Sequence, residues 1–408
     1  MKTDAPVGVF ATVRATPPAV RYLLGGVLIN QMGAFVQTFL VLYLAFRGFS
    51  VGQAGIALTV YSIGAVSGTL LGAELTHRFG PRSTIVGAMT TSAVILGFVP
   101  WLADSERFAG LLVAIGLAGL ATQSYRPAAA VLLSDLMPEE HRVMAFSMMR
   151  IALNLGAVTA PLIAAALILV DWDLLFWFDA ATALTYALLA FALLPNLPSQ
   201  QQVASPHENK RSAYVVLLRD WRYLLFLASV LLGTVIYVQY IVALPLKITA
   251  EGHPTALYSA VLVTTSLVLV CCELKITTYV KDRRPYAVAA LGTAVMGLGV
   301  TGYAFTGHSA AAIIVCTVVF VLGIMINGPT MFAHPATFPA AVKARYIGVH
   351  QATFGLGMAL GPTLGVIAWA TLANGVWIAC GVLGLIATWC AWVGVRERST
   401  SSEVNDLS

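Results

Sequence analysis

The residues of this sequence that could do chemistry are polar side chains set inside apolar runs of about twenty residues. Asn30 and Gln37 stand seven apart, Gln123 and Arg126 three apart, and Arg150 and Asn154 four apart, so each pair shares one face of a helix. Tyr237, Gln239 and Tyr240 cluster in a later run, and Asn327 stands in another. Inside hydrocarbon such groups are costly unless they face a cavity or a partner, which makes them the candidate residues for binding a solute. The two arginines would favour a solute with an anionic or strongly accepting group, and the tyrosines would hold its apolar body. Arg126 and Arg150 lie about 10 Å from the ends of their runs, a depth from which they either line a cavity or snorkel to the interface.

A second kind of chemistry is proton transfer. No acid sits at the middle of a run, and the candidates are Glu273, Glu74 and Asp179, with His350 as an alternative titrating group. Glu273 is the strongest of these by position. One proton crossing ~100 mV supplies ~2.3 kcal/mol, so one such group is enough to couple a proton gradient to transport. Enzyme chemistry finds no support: there is no zinc-ligand pair, no nucleophile with a partnered base and no phosphate loop. Gly297-Leu298-Gly299-Val300-Thr301-Gly302 fits a dinucleotide pattern in letters, but it follows no strand and is embedded in an apolar run. Cys271, Cys272, Cys316, Cys380 and Cys390 lack the spacing of metal ligands or of a disulfide framework and read as small buried hydrophobes. No cofactor or metal is expected.

The elements that must position these residues follow from composition. Of 408 residues, 59% are hydrophobic and 10% charged, against roughly 25% charged in a soluble domain. Lipid leaves unpaired backbone nowhere to bond, so the apolar runs must be helices. Periodicity predicts twelve, at 22–46, 54–76, 83–103, 108–133, 144–169, 174–194, 223–246, 257–279, 285–305, 310–333, 346–371 and 375–395. The first twenty residues carry Pro17, Pro18 and Arg14 and no continuous apolar core, so the first helix is expected to remain as an uncleaved anchor.

Of the 23 Lys and Arg residues, eighteen fall on one face of this layout. Arg47, Arg107 and Lys247 fall on the other, and Arg126 and Arg150 lie within helices. The positive-inside rule then predicts cytoplasmic termini in a bacterial inner membrane. Basic loops beside anionic lipid account for the net charge of +5 without a nucleic-acid partner. Shifting the chain by 201 residues lays Arg21-Tyr22-Leu23-Leu24 on Arg222-Tyr223-Leu224-Leu225, Gly156 on Gly357 and Pro161 on Pro362. The expected organisation is a cytoplasmic segment 1–21, a six-helix bundle 22–194, a cytoplasmic linker 195–222, a second six-helix bundle 223–395 and a tail 396–408.

Three motifs point further. Between the second and third helices stands Leu75-Thr76-His77-Arg78-Phe79-Gly80-Pro81-Arg82, which resembles the cytoplasmic signature of the major facilitator superfamily. Leu75, Arg78, Gly80 and Arg82 match, while Ala73, His77 and Pro81 replace Gly, Asp and Arg. In that family the Asp helps latch the two halves, so His77 implies a weaker or pH-sensitive latch. The fifth helix carries Gly156-Ala157-Val158-Thr159-Ala160-Pro161, and the eleventh Gly357-Met358-Ala359-Leu360-Gly361-Pro362 followed by Gly365. Both are similar to the family's antiporter signature. Their small residues permit close packing, and Pro161 and Pro362 permit a bend. Arg126-Pro127-Ala128 with Asp135, Pro138, Glu139, Glu140 and Arg142 also looks like the drug:proton antiporters of this superfamily. Gly64, Gly68 and Gly72 read as a packing stripe.

The resemblance implies an all-α membrane protein of two pseudo-repeated six-helix bundles whose first and fourth helices line a midplane cavity. The expected function is alternating access, most simply proton-coupled efflux of amphipathic small molecules by a monomer. Uptake of a nutrient or organic anion is the alternative, favoured by the two arginines. A membrane sensor or enzyme without transport is the remote one.

Overall fold

A computed structural model of the protein describes residues 16–104, 108–197, 212–254 and 256–396, apart from the side chains of 37, 51, 212–214 and 270. Among these residues there are helices and no strands. α1 (Pro18–Met32) and α2 (Val36–Phe46) together make the first crossing. α3 (Val51–Phe79), α4 (Pro81–Asp104), α5 (Phe108–Leu136), α6 (Arg142–Ile168) and α7 (Leu174–Leu193) complete the first half. After the short α8 (Ser212–Arg219), the second half runs α9 (Trp221–Ala250), α10 (Ala256–Val280), α11 (Pro285–Gly302), α12 (Ala310–Ala333), α13 (Ala340–Leu372) and α14 (Val376–Gly394).

Among the described residues nine stretches are long and apolar enough to cross a membrane alone, and one of them, Ala340–Gly394, contains both α13 and α14. α10 qualifies as a span bent by 48° after Leu269. With the broken first crossing this makes twelve. Most of the linker, 198–211, lies outside the described residues, as do 1–15 and 397–408 of the two ends.

The first crossing departs from the continuous helix predicted over 22–46. α1 stops at Gly33 and α2 starts after Phe35, so the chain breaks and restarts in the middle of an apolar run. Elsewhere the helix starts follow local chemistry. Ser50 opens α3 with a reciprocal capping box to Gln53, Asp220 accepts the Tyr223 N–H at the start of α9, and Ser309 accepts the Ala312 N–H at the start of α12.

Packing is set by small residues. Gly64, Gly68 and Gly72 of α3 lie against the carbonyls of Gly116, Leu120 and Ser124 on α5, and a Cβ on any of them would overlap that oxygen. The end where α1 and α9 begin carries most of the Lys and Arg and is called the basic end; the opposite one is the far end. Near the basic end one apolar core contains Ala128 to Leu133 and Ala145 of the first half together with Ala333, Ala336, Ala344 and Ile347 of the second. Near the far end the cores are separate, one from Phe35 to Phe176 and one from Ile236 to Cys380. Exposed tryptophans sit at both ends: Trp101 and Trp177 at the far one, Trp221, Trp389 and Trp392 at the basic one. The cysteines are free; Cys380 and Cys390 are buried as expected, whereas Cys271 is exposed, because it faces outward from the bent α10.

Candidate functional site

The strongest polar cluster joins the two halves. Arg150 leaves α6 and reaches into the second half, where its Nη1 lies 3.5 Å from Glu273 Oε1 on α10 and donates to the Ile324 carbonyl of α12 at 3.1 Å. Gly328 of α12 makes the room, since a Cβ there would overlap the guanidinium. Glu273 is wholly buried. Ser147 Oγ donates to its Oε1 at 3.4 Å and lies 3.0 Å from Thr277 Oγ1, while Oε2 has no hydrogen-bond partner among the described residues. Asn154 turns back on its own helix, its Nδ2 donating to the Arg150 carbonyl at 2.8 Å. A charge pair at this depth is held by its geometry, since removing either partner leaves the other buried and uncompensated.

Tyr237 lies within electrostatic reach of Arg150, and its ring packs with Tyr240 and Phe320 at centroid distances of 5.5 and 6.1 Å. These rings give the cluster an apolar wall. Gln239 takes a different direction from its neighbours. Its Nε2 donates to Gly361 O at 3.2 Å and its amide fills the space over Gly365, so it belongs to the α9–α13 packing. Asn327 likewise turns to α11, donating to Thr293 Oγ1 at 3.1 Å. On the first half, Gln123 and Arg126 of α5 gather around Tyr61 of α3, whose hydroxyl lies 3.3 Å from Thr122 Oγ1. Arg126 is half-buried, and its Nε has no hydrogen-bond partner among the described residues. Asn30 is buried on α1, and the side chain of Gln37 lies outside the described residues. Apart from Asn30 and Gln37, the predicted set therefore divides into two clusters plus two residues, Gln239 and Asn327, facing helix interfaces, because rotation about the helix axis, invisible in spacing alone, decides which way each points.

The other acids are engaged elsewhere. Glu74 holds Arg78 of its own helix at 2.6 Å and Arg345 of α13 at 3.1 Å, which ties the halves at the basic end. Asp135 adds a second tie, to Lys343 at 2.7 Å. Between them Gly348 of α13 sits on Ala73, the residue standing where the family signature has Gly. Gly80 takes a positive φ of 83° at the turn, and Arg82 donates to the Phe191 carbonyl. His77 is buried beside this latch. Asp179, on α7, accepts the backbone N–H groups of Phe35 and Val36 at the break in the first crossing. His350 is buried among the rings of Phe226 and Phe332.

The two antiporter-like motifs pack differently. Gly357, Gly361 and Gly365 seat Thr234, Val238 and Gln239 of α9 in an unbroken stripe. Gly156 seats Gln31 of α1, and beyond it Pro161 borders a cavity of ≈ 80 Å³ beside the break. Pro362 follows Gly361 in the chain but is exposed, outside the filled stripe of α13.

Sequence reasoning missed the partners. Ser147 and Thr277 carried a faint signal, as hydroxyls one turn from Arg150 and Glu273. Arg345 and Lys343 read only as inner-loop charges, and Gly328 was one small residue among many. Among the described residues no group of three or more His, Cys, Asp or Glu could hold a metal ion.

A family model described as Major Facilitator Superfamily matches residues 23–362. The uncharacterized MFS-type transporter YqjV of Bacillus subtilis (strain 168) is 23% identical over 359 residues, which is 84% of each chain. A Na(+), Li(+), K(+)/H(+) antiporter of Planococcus maritimus is 29% identical over 243 residues, 55% of each chain. Among solved structures, a bacterial homologue of the iron transporter ferroportin in the outward-facing state superposes with a TM-score of 0.75 at 16% identity, covering 93% of this chain and 98% of that one.

Proposed function

Because the chain belongs to the Major Facilitator Superfamily, we propose that this transporter works by alternating access and expels amphipathic small molecules, drug-like or biosynthetic, in exchange for protons. The observation that carries this reading is the buried Glu273 held against Arg150 from the other half. In it the basic end and both termini face the cytoplasm of a bacterial cell, across its inner membrane, and the structure corresponds to the outward-open state.

The sequence of events follows from the pair. A proton entering from outside neutralises Glu273, and the buried pair that joins α6 to α10 loses its attraction. The closed end is then held by the latch at Glu74 and Asp135 and by the shared apolar core, and both of these ion pairs are partly solvated and weaker. The basic end opens, the proton leaves into the less acidic cytoplasm, and Arg150 again has a carboxylate to hold. Substrate binds in the same open state, with its apolar body against Tyr237, Tyr240 and Phe320 and an accepting group at Arg126. No cofactor enters this cycle, and a monomer carries all of it.

A second reading, exchange of alkali cations for protons, is favoured by the Planococcus relative. Two arginines in the polar clusters argue against a cationic cargo. Everted vesicles energised by respiration separate the readings. Uncoupler-sensitive accumulation of an amphipathic dye, lost in Glu273→Gln, is the expected result. Proton release driven by Na⁺ or K⁺, without dye accumulation, would transfer the assignment to cation exchange, and accumulation independent of the proton gradient would remove Glu273 from the mechanism.

A further inference from the structure

The first crossing is broken and its repeat counterpart is not. A shift of 201 residues carries Gly33-Ala34-Phe35 onto Thr234-Val235-Ile236, inside the unbroken 30-residue α9. The same shift carries Asp179 onto Cys380 and Thr182 onto Leu383. The acid and hydroxyl that meet the break in one half are therefore a thiol and an alkyl group where no break exists.

The contacts at the break are specific. Asp179 is 4% exposed, and its carboxylate accepts the N–H groups of Phe35 and Val36, where α2 begins. Thr182, one turn along α7, occupies the space over Gly33, where a Cβ would overlap its Oγ1. On the other side of the break lies a small cavity of ≈ 80 Å³, bordered by Gln31, Ala34, Thr38 and Phe39 of the first crossing and by Ala157 and Pro161 of α6. One side of α2 is thus tied by a charge, and the other has space to move into.

The charge depends on that tie. Burial disfavours the charge, and among the described residues no cation lies against Asp179 to offset it; only the two N–H groups and the positive end of the α2 dipole favour it. The titratable group within electrostatic reach is the Tyr61 phenol of α3, which also senses Arg126. Tyr43 of α2, Asp173 and Asp104 are gathered on Arg47 at the far end, and α1 and α6 place their own arginines near the basic end.

We propose that Asp179 is a protonation-dependent clamp on a hinge at Gly33–Phe35. As a carboxylate it pins α2 to α7 and keeps the far end open. Once protonated, it loses the charge that two N–H donors and the helix dipole favour, and α2 swings over the cavity to cover the far end. This clamp is distinct from proton exchange at Glu273, because the two acids lie in different halves and toward opposite ends of the bundle.

Spin labels at Leu42→Cys on α2 and Leu372→Cys on α13, both exposed near the far end, test it in full-length protein lacking the five native cysteines. The expected result in lipid nanodiscs is that acidification shifts the inter-label distances toward shorter values. Asp179→Asn gives the short distances at every pH, Asp179→Glu titrates with a moved midpoint, and Glu273→Gln titrates like the parent. A parent whose distances ignore pH, or an Asp179→Asn protein that titrates like the parent, would overturn the proposal. If Asp179→Asn does not fold, the glutamate variant decides, since an unmoved midpoint there assigns the titration to another group.

Discussion

At the basic end, two ion pairs and a shared apolar core bind the halves together: Glu74 to Arg345, Asp135 to Lys343, and Ala128 to Leu133 against Ala333 to Ile347. Deeper on the same side, Arg150 and Glu273 add a third pair. At the far end the charges turn inward on their own half. Arg47 binds Asp104 and Asp173, and Lys247 binds Glu251 at 2.5 Å and Asn374 at 3.0 Å. Both ends carry ion pairs, yet among the described residues only the basic one is sewn across. The difference teaches that the halves are held together where a charge finds its partner in the other half and left apart where it finds one in its own.

Breaking that contrast has a graded outcome. The largest effect is expected from Arg150→Ala, which leaves the Glu273 carboxylate buried without a cation at a cost of ~3–5 kcal/mol. It should appear as a large drop in Tm of the purified protein and loss of transport. Arg150→Met combined with Glu273→Gln should recover most of the Tm and none of the proton flux, and a double variant as unstable as the single one would show that the two residues do not act as a pair. Gly328→Val, which drives a side chain into the guanidinium, should resemble Arg150→Ala in transport while leaving both charges in place.

Glu74→Gln comes next. Loss of the half-buried tie to Arg345 is expected to cost ~1.5 kcal/mol, about a tenfold shift toward opening of the basic end. The rate at which a thiol reagent reaches a cysteine placed under the latch measures it, and Glu74→Arg with Arg345→Glu should restore the slow rate. Lys343→Gln is worth less, ~0.5–1 kcal/mol, and concentrated salt should produce the same change in the parent protein. Arg47→Gln should leave labelling at the basic end unchanged while loosening the far end of the first half. If Arg47→Gln opened the basic end as much as Glu74→Gln does, the proposed contrast would be lost.

The helices, their number and the two-fold repeat were legible because lipid forces apolar runs into helices and the shift of 201 residues aligns charged and Pro residues directly. The partner of each polar residue was less so. Arg150 and Glu273 are 123 positions apart, on helices that are not neighbours in sequence, and nothing in spacing brings α6 against α10. Gln239 and Asn327 share apolar runs with true cluster residues, but a turn about the helix axis commits each to a neighbouring helix. The break in the first crossing was hidden because Gly33 is one of 35 glycines, and its meaning depends on an acid contributed by a helix roughly 150 residues later.

The exposed tryptophans at the two ends have a consequence for the surrounding lipid. Indole rings prefer the headgroup boundary, so Trp101 and Trp177 on one side and Trp221, Trp389 and Trp392 on the other set a preferred acyl thickness for the protein. A bilayer that is too thin or too thick must deform or tilt the bundle at its softest place, the interrupted first crossing. Turnover is therefore expected to change with acyl-chain length, which reconstitution in bilayers of graded thickness measures.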